Sequence, residues 1–243
     1  MKSSELDIAI LRTDEVRPEF LDKHGDYPDM FERLLTRAAE MHRPPVRLRF
    51  STYDARTGAL PEPGAHAAYL ITGSKSSVYD DDPWIGQLAR FLARALEAGS
   101  KVIGICFGHQ LIAHFFGGRT GPAPNGWAVG VQESHVVSRE PWMDGGGDRL
   151  NLIASHKDQV SELPEGARVI TSSEFCPIGG FVIEDRVLTL QGHPEFQPDY
   201  SQDLMDMRRD LLGEDVYRAG VASLEKETDE MRAAEWIIGF LLA

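Results

Sequence analysis

Short apolar runs separated by helix-length amphipathic segments fill the first half of this sequence, and no other feature restricts its folding as much. The runs are Ile8 to Leu11 (IAIL), Val46 to Phe50 (VRLRF), Ala67 to Ile71 (AAYLI) and Lys101 to Ile105 (KVIGI). The segments YPDMFERLLTRAAEMH, PWIGQLARFLARALEAG and FGHQLIAHFFGG follow three of them. A run that is apolar at successive positions needs cover on both faces of its strand, and a parallel sheet with helices on each side provides that cover repeatedly. The expected architecture is therefore layered α/β. The segment from Pro83 to Ala98 is the clearest helix: Asp82 can cap it, Pro83 fits its first turn, Ile85, Leu88, Leu92 and Leu96 form one stripe, and Gly99 ends it. Capping preference makes Asp80 to Asp82 a helix start in preference to a metal site.

From Trp127 the pattern changes to strand-like pieces: WAVGVQESHVV, LNLIAS, ARVITSS, IGGFVIE and RVLTLQ. They read as a mixed or antiparallel extension of the same sheet. Gly145 to Gly147 reads as a hairpin or surface loop, because the Lys and Ser/Thr that follow a phosphate-binding loop are missing. Pro198 to Ala243 reads as helices, with SLEKETDEM as a solvated face. With no internal repeat or linker, residues 1–243 are expected to form a single domain.

The formal charge of −13 repels phosphate backbones, and no basic stripe interleaved with aromatics offsets it, so nucleic acid is not an expected partner. The opening MKSSELDIAILRTDE lacks a secretory apolar core, and no segment has 18 uncharged apolar residues. The expectation is a cytoplasmic protein with no membrane partner. Two cysteines, Cys106 and Cys176, are too few for a disulfide framework and lack zinc-site spacing; no metal and no cofactor is expected.

Gly104-Ile105-Cys106-Phe107-Gly108 follows a strand-like run and precedes a helix-like one. That is the setting of a nucleophile elbow, in which a sharp turn raises the nucleophile at a sheet edge and flanking glycines let backbone approach closely. The turn also leaves Cys106 at a helix N-terminus, where unpaired N–H groups favour thiolate. A small cysteine closing a buried strand is the plainer alternative. A nucleophile needs a base and an orienting group. His193, in LTLQGHPEF, follows the apolar run Val187 to Leu190 at a strand-end position, and Glu195 stands two residues on. Cys106, His193 and Glu195 thus read as nucleophile, base and orienter. Cys176, in SEFCPIGGF, has no such setting and reads as structural.

GICFGHQ and QGHPEF, in this order, resemble the nucleophile and His-Pro-Glu motifs of the class I (triad-type) glutamine amidotransferases. The resemblance runs from the Tyr69 strand to about Phe196, and KHGDYPDMFERLL resembles stand-alone relatives of the GMP synthase amidotransferase domain. It implies a flavodoxin-like fold with a central mostly parallel sheet flanked by helices. It also implies hydrolysis of a γ-glutamyl amide: Cys106 attacks the side-chain carbonyl, His193 gives a proton to departing ammonia, and water releases glutamate from the thioester. An oxyanion hole is implied at the N–H of Phe107 and in the loop LITGSKSS around Gly73 and Ser74. This loop departs from the commoner Gly-Gly-Pro or Gly-Pro-Gly sequence. Gln110 resembles a substrate contact, and Ser155, Lys157 and Asp158, in ASHKDQV, fall where the family holds the α-amino and α-carboxylate groups; a solvated turn explains the same three residues. Glu133 and His135 could border the site, although strand alternation accounts for them more simply.

The resemblance leaves two enzymatic readings: an amidotransferase that feeds ammonia to a separate synthetase, and a hydrolase of γ-glutamyl compounds. Either takes a small-molecule substrate, glutamine or a γ-glutamyl compound. A non-catalytic binding protein that keeps the fold is the reading from another class, and a binding module has no use for a nucleophile, base and orienter together. Glutaminase activity in the absence of a partner is left open.

Overall fold

A computed structural model describes residues 5–243 of the chain; residues 1–4, the start of the segment read as lacking a secretory core, lie outside the described residues. Nine strands make one sheet. β1 (Glu5–Arg12), β2 (Arg47–Asp54), β3 (Ala68–Ile71), β4 (Lys101–Ile105) and β11 (Val187–Leu190) lie in the order β2-β1-β3-β4-β11, every neighbouring pair parallel. This is the doubly wound order, whose right-handed crossovers put helices on both faces. The sheet continues antiparallel through β10 (Gly180–Ile183), β9 (Ala167–Ser172), β6 (Ala128–Val136) and β7 (Arg149–His156). The mostly parallel core and its antiparallel extension both match the sequence pattern.

Alternation along the parallel strands divides the core in two. Ile8, Ile10, Leu70, Ile103 and Leu188 face α2 (Tyr27–Met41) and α8 (Glu230–Leu242), whose Phe31, Leu35, Trp236 and Phe240 are fully buried. Ala9, Leu11, Tyr69, Ile71 and Val102 face α3 (Pro83–Glu97) and α4 (Phe107–Phe115). α1 (Pro18–His24), α5 (Pro198–Met207), α6 (Arg209–Leu212) and α7 (Glu214–Ser223) complete the helices, and β5 (Arg119–Pro122) pairs with β8 (Asp158–Glu162) in a separate ribbon.

Three local expectations are refined. Asp82 occupies the N-cap of α3 but its side chain makes no capping bond; Pro83 at N1 supplies no N–H, and Asp80 instead accepts the N–H of Ser77 at 2.8 Å. SLEKETDEM lies at the surface, with Glu225 to Glu227 exposed, but it is not helical along its length. It is the turn between α7 and α8, and Asp229 in it accepts the Asn151 N–H at 2.7 Å while donating its own N–H to the Asn151 carbonyl at 2.8 Å. ASHKDQV is more than a solvated turn: only Lys157 is exposed, and the segment ends β7 and begins β8 with His156 and Asp158 buried, which the alternation of so short a piece did not mark.

The parallel strands deliver five segments to one end of the sheet. Thr13 and Asp14 follow β1, Asp54 ends β2, Gly73 lies just beyond β3, Cys106 follows β4, and His193 lies just beyond β11. In open α/β sheets the crevice at these carboxyl ends is where ligands bind.

Candidate active site

Cys106 joins β4 to α4 with φ 51° and ψ −96°, a positive φ that side-chain-bearing residues rarely adopt. Its N–H donates to the Leu190 carbonyl on β11 at 2.9 Å, anchoring the turn to the neighbouring strand. Both flanking glycines are required sterically. A Cβ on Gly104 would lie 2.6 Å from the Gly108 carbonyl carbon and oxygen, and one on Gly108 would lie 2.8 Å from Ile71 Cβ. The elbow therefore forms because the backbone of α4 can descend onto β3 and β4 without side chains between them. Strain of this kind costs of order 1–3 kcal/mol and persists where surrounding structure holds it.

His193 Nδ1 lies 2.7 Å from Glu195 Oε1, and the Glu195 side chain has no exposed surface. Phe196 stacks on the imidazole at 3.9 Å between centroids and 9° between planes, and the His193 N–H donates to the Ile153 carbonyl at 2.7 Å. The ring has a fixed plane and a fixed partner. Burial alone would lower its pKa, but the charges of Glu195 and Cys106 and hydrogen bonds to both push it up to about 10. His156 and His109, also buried, are lowered to about 4 and about 3: burial is the main cause for each, helped by repulsion from His193 for His156 and from His156 for His109. Burial also pushes the Cys176 thiol up to about 12.

Gly73 brings the loop after β3 against this pair. A Cβ there would stand 2.7 Å from His193 Cε1 and 3.6 Å from Cys106 Cβ. Among the described residues, the N–H groups of Gly73, Ser74 and Phe107 have no protein acceptor, whereas those of Lys75, Ser76 and Ser77 are all taken. An open cavity of about 760 Å³ leads to Cys106, with walls that include Asp14, Ser74, Trp127, Lys157, Tyr200 and Arg208.

The remaining candidates fall at different distances from this chemistry. Gln110 borders the cavity but is 4% exposed, and its Nε2 donates to the Asp158 carbonyl at 2.8 Å and to Gln191 Oε1 at 3.0 Å. Ser155 Oγ accepts from Arg208 at 2.8 Å. Lys157 is exposed, and its carbonyl accepts the Ala123 N–H. Asp158 borders the cavity with both carboxylate oxygens engaged, by Ser77 Oγ at 2.5 Å and Tyr79 OH at 2.9 Å. Glu133 pairs with Arg149 on the half-exposed end of β6, and neither it nor His135 borders the cavity. Among the described residues no group of three His, Cys, Asp or Glu is arranged to hold a metal ion.

Sequence reading missed Trp127, Tyr200 and Arg208. Arg208 sits between α5 and α6 over the Trp127 ring at 5.7 Å, with no carboxylate partner among the described residues. In sequence, MRRD is an ordinary helix end, and nothing marks one of its arginines as facing a cavity. Thr13 and Asp14 were missed as well, although their place after an apolar run, at a strand's carboxyl end, was a usable signal.

The family model for glutamine amidotransferase class-I matches residues 30–206. A glutamine amidotransferase-like protein of Schizosaccharomyces pombe is 30% identical, over 97% of this chain and 98% of its own length. Gamma-glutamyl peptidase 4 of Arabidopsis thaliana is 29% identical, over 89% of this chain and 86% of its own. The solved structure of a glutamine amidotransferase from Thermotoga maritima superposes with a TM-score of 0.70 at 19% identity, covering 98% and 96% of the two chains, which shows the shared fold.

Proposed function

Because the chain belongs to the glutamine amidotransferase class-I family, we propose that it hydrolyses a γ-glutamyl amide through a thioester on Cys106. The observation that carries this reading is the meeting of Cys106, on its strained elbow, with a His193 held protonated by Glu195 at the end of an open cavity. A protonated imidazole is the counter-charge a thiolate needs. In this reading the Cys106 sulfur attacks the γ-carbonyl carbon. The N–H groups of Phe107 and of Gly73 or Ser74 receive the developing oxyanion, each worth about 3 kcal/mol in the transition state. The C–N bond breaks as His193 donates its proton to the departing nitrogen. The neutral imidazole then takes a proton from water, whose oxygen attacks the thioester carbon; the C–S bond breaks, the Cys106 sulfur leaves beside the again protonated His193, and glutamate is freed. Gln110, Ser155, Lys157 and Asp158 are proposed to frame the γ-glutamyl end, Gln110 and Asp158 by holding the wall in shape.

For the leaving group, two chemistries share these steps: ammonia from glutamine, delivered to a separate synthetase, or an amine-bearing residue from a γ-glutamyl peptide. A cavity of about 760 Å³, in the range of sites for drug-sized ligands, and likeness to a gamma-glutamyl peptidase along most of both chains favour room for the larger group. We take residues 1–243 as one domain. No helix among the described residues is long and apolar enough to cross a membrane, and the two free cysteines suit a reducing, cytoplasmic setting.

The test compares ammonia release from glutamine with cleavage of γ-glutamyl dipeptides by the isolated protein and by Cys106→Ser. The serine variant should lose turnover of both while keeping its melting temperature; full turnover in that variant would remove the mechanism. Rapid peptide cleavage with slow glutamine hydrolysis assigns the peptidase chemistry.

A further inference from the structure

The loop that carries the free N–H groups of Gly73 and Ser74 is tied at its far end, where Ser77 meets Asp158 and Asp80, but its Gly73 to Lys75 stretch is gripped by the two residues that follow β1. Thr13 Oγ1 donates to the Gly73 carbonyl at 2.9 Å or to the Thr72 carbonyl at 3.0 Å, and the Thr72 hydroxyl also lies 3.2 Å from the Gly73 carbonyl. Ser74 Oγ donates to the Thr13 carbonyl at 3.1 Å. One residue further on, Asp14 Oδ2 accepts the backbone N–H of Lys75 at 2.9 Å, and Asp14 Oδ1 accepts from Lys75 Nζ at 2.8 Å. Thr13 is 1% exposed, Thr72 fully buried and Asp14 5% exposed, so water competes poorly for these bonds.

Peptide geometry converts these grips into an orientation. In a trans peptide the C=O and the following N–H point in opposite directions. With the Gly73 oxygen drawn toward the Thr13 and Thr72 hydroxyls, the Ser74 N–H of the same unit must point away from β1. The next unit is fixed in the opposite sense, since its Lys75 N–H is held by Asp14. A flip of the Gly73–Ser74 unit would break the hydroxyl bonds and pull against the Asp14 anchor. Nothing outside the chain is needed to set this arrangement.

We propose that Thr13 and Asp14 are positioning residues that lock the Gly73–Ser74 peptide with its N–H turned into the catalytic cavity, so that the site hydrolyses γ-glutamyl substrates without a partner protein. The inference rests on the cysteine mechanism proposed above and specifies its regulation: the oxyanion loop is aligned by the chain's own β1 terminus. Asp14 has a second ionic neighbour in Arg56, whose Nη1 lies 3.7 Å from Oδ1, and Arg56 also pairs with Glu15 and Asp54. The anchor is therefore itself braced by the end of β2.

The test uses the full chain alone, with a γ-glutamyl dipeptide and glutamine as substrates, and iodoacetamide labelling as a measure of Cys106 that needs no oxyanion hole. Thr13→Val and Asp14→Ala should each lower kcat by about 10- to 100-fold, because they loosen one oxyanion donor, and KM should stay within about threefold in Thr13→Val, since Thr13 forms no part of the cavity wall. Labelling of Cys106 should stay at the wild-type rate. Asp14→Asn keeps an oxygen for the Lys75 N–H and should restore most of the rate lost in Asp14→Ala, which separates positioning from charge. Should Thr13→Val fail to fold, Ser74→Ala, which removes the hydroxyl bond to the Thr13 carbonyl and the acceptor of the Ser76 N–H but leaves Thr13 and Asp14 in place, should show a smaller fall in kcat. Wild-type kcat in Thr13→Val and Asp14→Ala, or no turnover by the wild-type chain alone while Cys106 labels normally, would overturn the lock. Turnover that survives Cys106→Ser would instead remove the mechanism on which it rests.

Discussion

Three buried imidazoles lie close together behind the Cys106 turn, and their surroundings drive them to opposite charge states. His109 and His156 have lost water and gained no carboxylate, so the neutral form wins; His193 has lost as much water but gained Glu195 at 2.7 Å, and the charged form wins. The sign of the linkage follows from the direction of the shift. A histidine whose folded pKa is raised above 6.5 adds stability that is fully present below that value and is lost as pH rises through the folded value, here about 10. Unfolding by urea between pH 6 and pH 10 should therefore show wild-type stability declining over that window, with a flatter decline in Glu195→Gln. The same variant should lose at least about 100-fold in kcat, because an amide neither holds the charge nor fixes the tautomer. Equal pH slopes in the two proteins would show that Glu195 does not hold the proton on His193.

At the scale of elements, the site is made by how strands end. β4 runs into α4 with no connecting loop, and the two glycines on either side of Cys106 let α4 pack onto β3. Gly108→Ala places a methyl 2.8 Å from Ile71 Cβ and 2.9 Å from the Ile71 carbonyl, neither of which can retreat from a fully buried strand. Overpacking of this kind costs about 1–3 kcal/mol, so the variant should melt several degrees lower, and displacement of the elbow should reduce turnover more than stability. Thermal denaturation beside steady-state kinetics checks both. The motif around Cys106 was legible in sequence because a turn this tight needs glycine at fixed positions. The grip of Thr13 and Asp14 on the loop after β3 was not, because it joins residues about 60 positions apart through hydroxyl and carboxylate bonds that leave no periodic trace.

For the whole molecule, the region matched by the family model stops at residue 206, yet the core does not. α8 lies against α2 and buries Trp236, Ile237, Ile238 and Phe240 completely. At roughly 1.5–3 kcal/mol for each such side chain, removing the helix forfeits about 6–12 kcal/mol, comparable to the whole net stability of a typical domain. A chain ending at Thr228 should accordingly show no cooperative melting transition and no turnover, measured by circular dichroism and by the same peptide assay; a sharp transition near the wild-type temperature would show that the sheet stands without this layer.

Local chemistry alone determined the layered α/β architecture, the place of the elbow and the separation of Cys106 from Cys176. Each depends on neighbours in sequence: apolar runs that demand two-sided cover, glycines that permit a turn, a strand followed at once by a helix. Tertiary structure decided what depends on direction. It set how fully the His193–Glu195 pair read from the sequence is buried, which arginine faces the cavity, and which way the peptide between Gly73 and Ser74 points, because burial and peptide orientation are fixed by neighbours that only the folded sheet brings into contact.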